Sequence, residues 1–477
     1  MTDNAVHDVR IDEDAAPAAA DHTALRAAVR GPVLVPGDIA YADECRLFNT
    51  LRVLAPAVVV GATSTDDVAA AVRYASGRRM AVAVRNEGHQ VVLPQQDDTL
   101  LISTRRMREV SVDPARRTVR VGAGATWSDV LVETDRLGLA PVAGSAPHVG
   151  VVGYTLGGGL SPLLGRGLGY AADHVRRLEV VTADGAVRQV TYGSDPDLWW
   201  ALLGAKGNFG VVTHMEFDVF PVARFYGGGL WFRGAEMRPV LQAWRALLPT
   251  LGEDTTTSFS VQRLPDVAAL PQSLRGAFVL HIRLGHLGTA REGARLAAPL
   301  RAVATPVYDT LAERPFREIG EIHLDPVHGM PFVETGFGLR EFSDDTLERF
   351  LDLTGPGSGC PMKSVEVRAL GGALDREPAR PNAVPSRGMP FMTFAVGGGP
   401  ADRMGAMREF VGAYTHGLTP WRDPRNVINF VSPDEALSEA AVRTLYGEQR
   451  YTRLAALKRV HDPANLFRVN HNIRPDV

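Results

Sequence analysis

Lysine is nearly missing from this chain of 477 residues, which holds only Lys206, Lys363 and Lys458. Arginine supplies the rest of the 51 basic side chains, against 54 acidic ones, for a formal net charge of −3. That balance offers no cationic surface to a nucleic-acid backbone or an anionic membrane. The arginine bias reads as genome composition. Cysteine is scarce as well: Cys45 and Cys360 cannot build a disulfide framework and stand in no metal-ligand spacing, so both read as buried or half-buried thiols. No apolar run approaches the ~20 residues of a membrane span. The acidic start (Asp3, Asp8, Asp12, Glu13, Asp14) lacks the basic-then-apolar order of a signal peptide. The expected setting is the cytoplasm, with residues 1–25 as a disordered acidic tail. Nothing in the sequence fixes the oligomeric state.

Several cofactor signatures are missing too. Gly122-Ala123-Gly124 begins like a dinucleotide fingerprint, but Trp127 stands where the third glycine belongs. Gly204-Ala205-Lys206-Gly207 has the wrong spacing for a P-loop. His323, Asp325 and His328 lie together, yet they read as exposed loop residues, and no metal site is expected.

What is present is a strand–helix alternation. Val58–Val60 reads as a buried strand, Ser64-Thr65-Asp66-Asp67 as a helix cap, and Met80–Val84 and Leu100–Ser103 as further strands. Val119–Val121 is another strand, and Thr126 with Asp129 a second capping box. Asp184-Gly185 marks a hairpin and Asp195-Pro196 a helix start. Past Pro221 strands alternate with long helices over 237–248, 288–300 and 344–353, which predicts a second domain on an antiparallel sheet. Residues 434–461 return to helix. Phe467–Ile473 mixes polar and apolar side chains too closely for a free tail and is expected to pack back onto the first domain.

Two motifs carry chemistry. The turn Arg85-Asn86-Glu87-Gly88-His89-Gln90 follows a strand; its backbone N–H groups near Gly88 can face a pyrophosphate, and His89 can offer a ring nitrogen to a flavin edge. A surface loop with a hydrogen-bonded histidine is the other reading of these six residues. Glu87 is awkward beside phosphates unless it points away. The run from Gly150 to Gly159, with Gly153, Gly157 and Gly158, is too rich in glycine for a helix or an ordinary strand and suggests close backbone approach to a ligand.

Taken in order, Arg-x-x-Gly-His, Gly-Ala-Gly-Ala-x-Trp, the run from Val149 to Gly159, and Gly-Asn-Phe-Gly-Val-Val-Thr (Asn208, Gly210, Val211) resemble the berberine bridge enzyme-like FAD-linked oxidases. Arg453-Leu454, Lys458, Asp462-Pro463, Asn465, Phe467 and Asn470 complete the pattern, which spans about residues 41–473. These oxidases belong to the vanillyl-alcohol oxidase and p-cresol methylhydroxylase superfamily. The resemblance implies an α+β fold with a two-part FAD-binding domain (26–222 and 436–477) and an inserted substrate domain (223–435), an antiparallel sheet covered by helices. It implies FAD as cofactor, hydride transfer from an organic, natural-product substrate, as in antibiotic biosynthesis, and re-oxidation by oxygen.

Residue by residue, His89 matches the histidine that bonds the flavin, and Val149 the position that admits oxygen. Ala146 stands where many members have a second attachment cysteine, so the bond is expected through His89 alone. Tyr154 matches a position at the flavin pyrimidine edge and is a candidate catalytic donor; Tyr446 and His148 are weaker candidates. Val427 replaces a catalytic tyrosine two residues before Asn429-Phe430, and valine cannot take a proton. Met389, Phe391, Met392 and Phe394 are expected to present an apolar pocket wall. A flavoprotein that carries out a non-redox cyclisation or elimination, or only binds a ligand, is the alternative.

Overall fold

The computed structural model describes residues 22–90 and 98–475. The expected tail over 1–21 lies outside them, as do residues 91–97 and 476–477. The helix Thr23–Ala28 begins inside the segment read as tail.

The first layer is a four-stranded sheet in the order Val33–Leu34, Val58–Gly61, Thr99–Ser103, Ala81–Arg85. Its last three strands are parallel, as a helical crossover requires. The helix Thr65–Arg78 makes that crossover. Ser64 Oγ accepts the Asp67 N–H at 3.2 Å, so the cap read from sequence forms. Asp67 also collects N–H groups of Arg30, Gly31 and Thr63, which fastens the preceding chain to the helix start.

A second, five-stranded antiparallel sheet runs Val110–Asp113, Thr118–Gly122, Val211–Asp218, Val175–Val181, Val187–Val190. Thr126 and Asp129 form their capping box at the helix Trp127–Asp135. Asp184-Gly185 turns the last hairpin, with Gly185 at φ +74°. The C-terminal chain closes onto this body. Leu466 accepts the Val82 N–H at 2.9 Å, Phe467 joins the core beneath Val58 and Val60, and Ile473 N–H meets Asn208 Oδ1 at 2.9 Å.

The third layer is a nine-stranded antiparallel sheet that runs from Tyr308–Asp309, next to Arg224–Arg233, to Arg422–Asp423. Side chains alternate across it. Phe259, Ile282, Val367, Ala395 and Phe337 face the helices Met237–Leu247, Ala290–Val303, Asp344–Thr354 and Met404–Gly417 in one core. The other face is polar. Ser258 lies opposite both Arg283 and Arg368, and Ser260 opposite both His281 and Glu366. This face turns toward the FAD-type body, not toward water: Thr256 Oγ1 donates to Pro162 O, and Phe394 and the Arg368 guanidinium both pack on the Phe430 ring.

One expectation about local structure fails. Val151–Leu156 is a helix, capped by Gly150. Only Gly153 lies inside it, and the glycines that need positive φ, Gly158 at +104° and Gly159 at +79°, follow its end. Counting glycines across 150–159 hid a glycine-poor hexapeptide in the middle.

Candidate functional site

The strand Ala81–Arg85 ends the parallel sheet at its edge, so its C-terminal turn opens beside the other layers. Arg85 is buried and spends Nη1 on Glu44 O at 2.9 Å. Gly88 sits at φ +71°, where an added Cβ would stand 2.9 Å from Leu47 Cδ2, so only glycine suits the turn. Glu87 points toward Arg108, 4.0 Å away, which removes the conflict expected from a carboxylate beside phosphates.

His89 lies against the Phe48 ring, centroids 4.1 Å apart, with the His148 ring at 5.1 Å. Burial, helped by His148, pushes its pKa down to about 3. The imidazole is therefore neutral at ordinary pH, and its buried Nε2 has no hydrogen-bond partner within the protein. A neutral ring nitrogen with a free lone pair is a nucleophile or a ligand-facing acceptor.

Asn86 Nδ2 reaches Ala125 O at 3.4 Å, and its Oδ1 is buried and unpartnered. Gly150 packs on the same side chain; a Cβ there would lie 2.5 Å from Asn86 Nδ2. The main chain of 146–150 is laid down by Val149 N–H to Ala146 O and Trp127 N–H to Val149 O, both 3.1 Å. Gly153 faces open space. Tyr154 sets its ring edge-on to Trp127 at 5.3 Å and keeps a buried, unpartnered hydroxyl, whose pKa burial raises. A Cβ on Gly159 would lie 2.5 Å from Tyr154 Cε1.

Gln90 is a strap. Its amide donates to Ile428 O at 2.8 Å and Val431 O at 2.7 Å, and its Oε1 accepts from Lys206. Asn429 Nδ2 donates to Tyr154 O at 2.8 Å, leaving Oδ1 buried and free. Asn470 holds Phe467 O at 3.1 Å, with Oδ1 likewise unpartnered.

Other expected site residues serve the protein itself. Asn208 spends its whole amide on Ala205 O, His471 O and Ile473 N–H, so it fastens the C-terminal segment. Gly210 approaches Val181 O too closely for a side chain, and Val211 lies in the core. The Tyr446 hydroxyl points at Gly204 O, 3.4 Å away, within a packed core. Phe391 does not line the pocket: strand alternation sends it into the helical core beside Phe342. Met389 precedes the strand and is buried against Gly338. Val427 is buried in the core that carries Phe394 and Phe430.

Four features escaped the sequence reading. His323 is buried, not an exposed loop residue, and both ring nitrogens lack partners. Glu366 is fully buried between Arg283 (2.6 Å) and Arg368, whose charges hold its carboxyl below the usual range despite burial. Lys206 is half-buried, and among the described residues no carboxylate lies within ion-pair distance of it; burial pushes its ammonium down to about 7. Glu334, on the same sheet face, is pushed up to about 8 by burial, with Glu435 and Asp434 nearby. The signal for the sheet residues was the polar half of Ser364-Val-Glu-Val-Arg and His281-Ile-Arg, easily read as a solvent face. Among the described residues no group of His, Cys, Asp and Glu could hold a metal ion, and no helix is long and apolar enough to cross a membrane.

These residues fit a flavin dinucleotide. Buried polar atoms without protein partners (His89 Nε2, Asn86 Oδ1, Tyr154 hydroxyl, Asn429 Oδ1) come from the turn, from the helix after Gly150 and from the loop that these two bind. Leaving that many unsatisfied would cost about 1–3 kcal/mol each, so a polar ligand accounts for them best.

Comparison with known proteins agrees. The family described as "FAD binding domain" matches residues 56–191, and that described as "Berberine and berberine like" matches 428–474. (R)-6-hydroxynicotine oxidase of Paenarthrobacter nicotinovorans is 27% identical over 464 residues, covering 94% of this chain and 97% of that protein. FAD-linked oxidoreductase hasG of Aspergillus fumigatus is 39% identical over 194 residues, 40% of this chain and 41% of its own. Among solved structures, 6-hydroxy-D-nicotine oxidase from Arthrobacter nicotinovorans superposes with a TM-score of 0.80 at 25% identity, over 94% of this chain and 98% of that one. Physcomitrella patens BBE-like 1 shares the fold, with a TM-score of 0.82 at 18% identity over 95% and 99% of the two chains.

Proposed function

The chain belongs to the berberine bridge enzyme-like FAD-linked oxidoreductases of the p-cresol methylhydroxylase superfamily, and we propose that it is an oxidase for an organic substrate of moderate size. The substrate lies between the turn Arg85–Gln90 and the polar face of the nine-stranded sheet. The single observation that carries this reading is His89: a neutral, buried imidazole stacked on Phe48, with a free Nε2. That nitrogen would hold the flavin through its 8-methyl carbon, and Ala146 would leave that as the sole bond. FAD held there would supply the hydride-accepting and oxygen-reducing chemistry of an oxidase.

The chain's own residues do the rest. Asn86, Gly150, Tyr154 and Asn429 surround the cofactor position. Tyr154 and Lys206 are the groups able to meet developing negative charge. Lys206, poised near neutrality, is also the group best suited to give or take a proton. Glu366 is a poor base, because two arginines hold it ionised. Glu334, pushed up to about 8 by burial, is mostly protonated at pH 7 and so is no base either. With Val427 in the tyrosine's place, a substrate without a hydroxyl proton to remove suits the site. A cytoplasmic tailoring step in natural-product biosynthesis is the setting we infer.

Val427 also favours a second reading, a non-redox cyclisation or elimination over a structural flavin. Anaerobic mixing of holoenzyme with substrate separates the two. Loss of the yellow colour supports the oxidase; product formed while the flavin stays oxidised supports the second reading and refutes the first.

A further inference from the structure

Among the buried unpartnered polar atoms, one cluster lies at the proposed flavin position and a second is separate from it. The other group lies across the polar sheet face. Arg283 Nε, Ser258 Oγ, Arg166 Nε and both ring nitrogens of His323 are buried without a hydrogen-bond partner. All four residues line one narrow cavity, together with Ser161 and Arg368. Three segments build it: the adjacent strands Thr255–Arg263, Phe278–His286 and Ser364–Ala369; the chain after Gly159; and the turn at Ile322-His323.

The charge in this cavity is unbalanced. Arg283 and Arg368 share the single carboxylate of Glu366, which leaves one positive charge over. Arg166 gives its Nη atoms to Leu370 O (2.8 Å) and Leu251 O (3.4 Å), and Glu253, Asp375 and Asp254 offset its charge from its far side. His323 stands 3.9 Å from Glu366, and burial together with the arginines keeps it neutral. A neutral histidine offers one N–H donor. Arg283 Nε and the Ser258 hydroxyl are donors too. The narrow, partly open cavity therefore presents an excess of hydrogen-bond donors and one unmatched cation. Leaving such donors unmet is costly, and a group with one negative charge and two acceptor oxygens meets both needs.

We propose that this cavity is a subsite for a carboxylate carried by the substrate, held by Arg283, Ser258 and His323 while the rest of the molecule extends toward Tyr154 and the flavin. The location follows from Arg368, which lines the cavity and also packs on Phe430, beside Asn429 and Tyr154. The proposal rests on the oxidase reading above and names the substrate class for it: an organic acid. A dianionic phosphate would overshoot the single charge available.

The test uses holoenzyme with benzoate and its neutral analogue benzamide, followed by the flavin visible difference spectrum and by calorimetry. Benzoate binds at least about tenfold more tightly than benzamide, as one charge-assisted hydrogen bond requires. Arg283→Met leaves Glu366 short of a partner and risks misfolding, so the diagnostic variant is Ser258→Ala, which removes an unpaired hydroxyl only. It weakens benzoate about tenfold and leaves benzamide unchanged. Equal binding of the two ligands, or a Ser258→Ala variant that binds benzoate as the parent does, overturns the subsite even if substrate still bleaches the flavin. A protein that takes up no flavin at all refutes the oxidase reading instead, and with it the subsite.

Discussion

Lys458 is fully enclosed and offers a direct test of how the C-terminal segment is joined to the rest of the first body. Its ammonium lies 2.7 Å from Asp462 Oδ2, with neither side chain reached by solvent. It also donates to Phe467 O at 3.0 Å and to Asn208 O. Asp462 in turn accepts the Leu466 and Phe467 N–H groups at 2.7 and 2.9 Å. One ion pair thus ties the helix Glu448–His461, the C-terminal chain and the Asn208 loop together. Lys458→Met keeps the apolar stem and removes the charge. Breaking a buried pair costs about 3–5 kcal/mol. The variant can escape by protonating the carboxyl, which at pH 7 costs about 4 kcal/mol for an aspartate that ordinarily titrates near 3.9, so both routes give the same figure. That is a large share of the roughly 5–15 kcal/mol that stabilises a folded domain. At pH 5 the protonation route costs only about 1.5 kcal/mol. The carboxyl of the variant titrates higher in the folded than in the unfolded chain, so the penalty grows with rising pH and fades toward acid. Urea unfolding of variant and parent at pH 7 and pH 5, followed by tryptophan fluorescence, measures it. A difference below about 1 kcal/mol at pH 7, or one independent of pH, would refute the reasoning.

Two further predictions concern charge inside the fold. Glu366→Leu leaves Arg283 and Arg368 buried without a counter-charge and costs about 3–5 kcal/mol in urea unfolding; a neutral outcome would mean that water or another group already screens both arginines. Apoprotein stability falls with acid. His89 and His471 titrate near 3 and 4 when folded, because burial disfavours the cation, against about 6.5 unfolded. The unfolded chain therefore takes up protons first. Stability is complete above pH 6.5 and declines below it by up to about 1.4 kcal/mol per pH unit for each histidine. His281 and His323 shift in the same direction. A melting temperature that stays flat from pH 7 to pH 5 would contradict this.

Local rules made much of the frame legible in the sequence. Ser64 and Thr126 cap helices because a short oxygen-bearing side chain precedes an apolar period. Asp184-Gly185 turns a hairpin because glycine reaches positive φ. The ordered motifs Arg85–His89 and Gly150–Gly159, which we propose as the flavin side, were legible for the same reason: they are local. The substrate side was not legible. Glu366, Arg283 and His323 are far apart in sequence and meet only because strand pairing brings them together. Each sits in a pattern of alternating polarity that looks like a solvated sheet face, and only the third dimension shows another layer covering it. Phe391 was misplaced because a one-residue step on a strand reverses the face. Lysine scarcity, read as composition, concealed the buried position of Lys458 and the half-buried one of Lys206.

The measurement closest to the central claim is flavin fluorescence after denaturing electrophoresis of the parent and His89→Ala proteins. The expected result is a fluorescent band that travels with the 51.4 kDa parent chain and is absent from the variant, whose flavin leaves on denaturation. A fluorescent His89→Ala band, or a parent that never takes up flavin, would contradict the assignment of His89 as the anchor of the site.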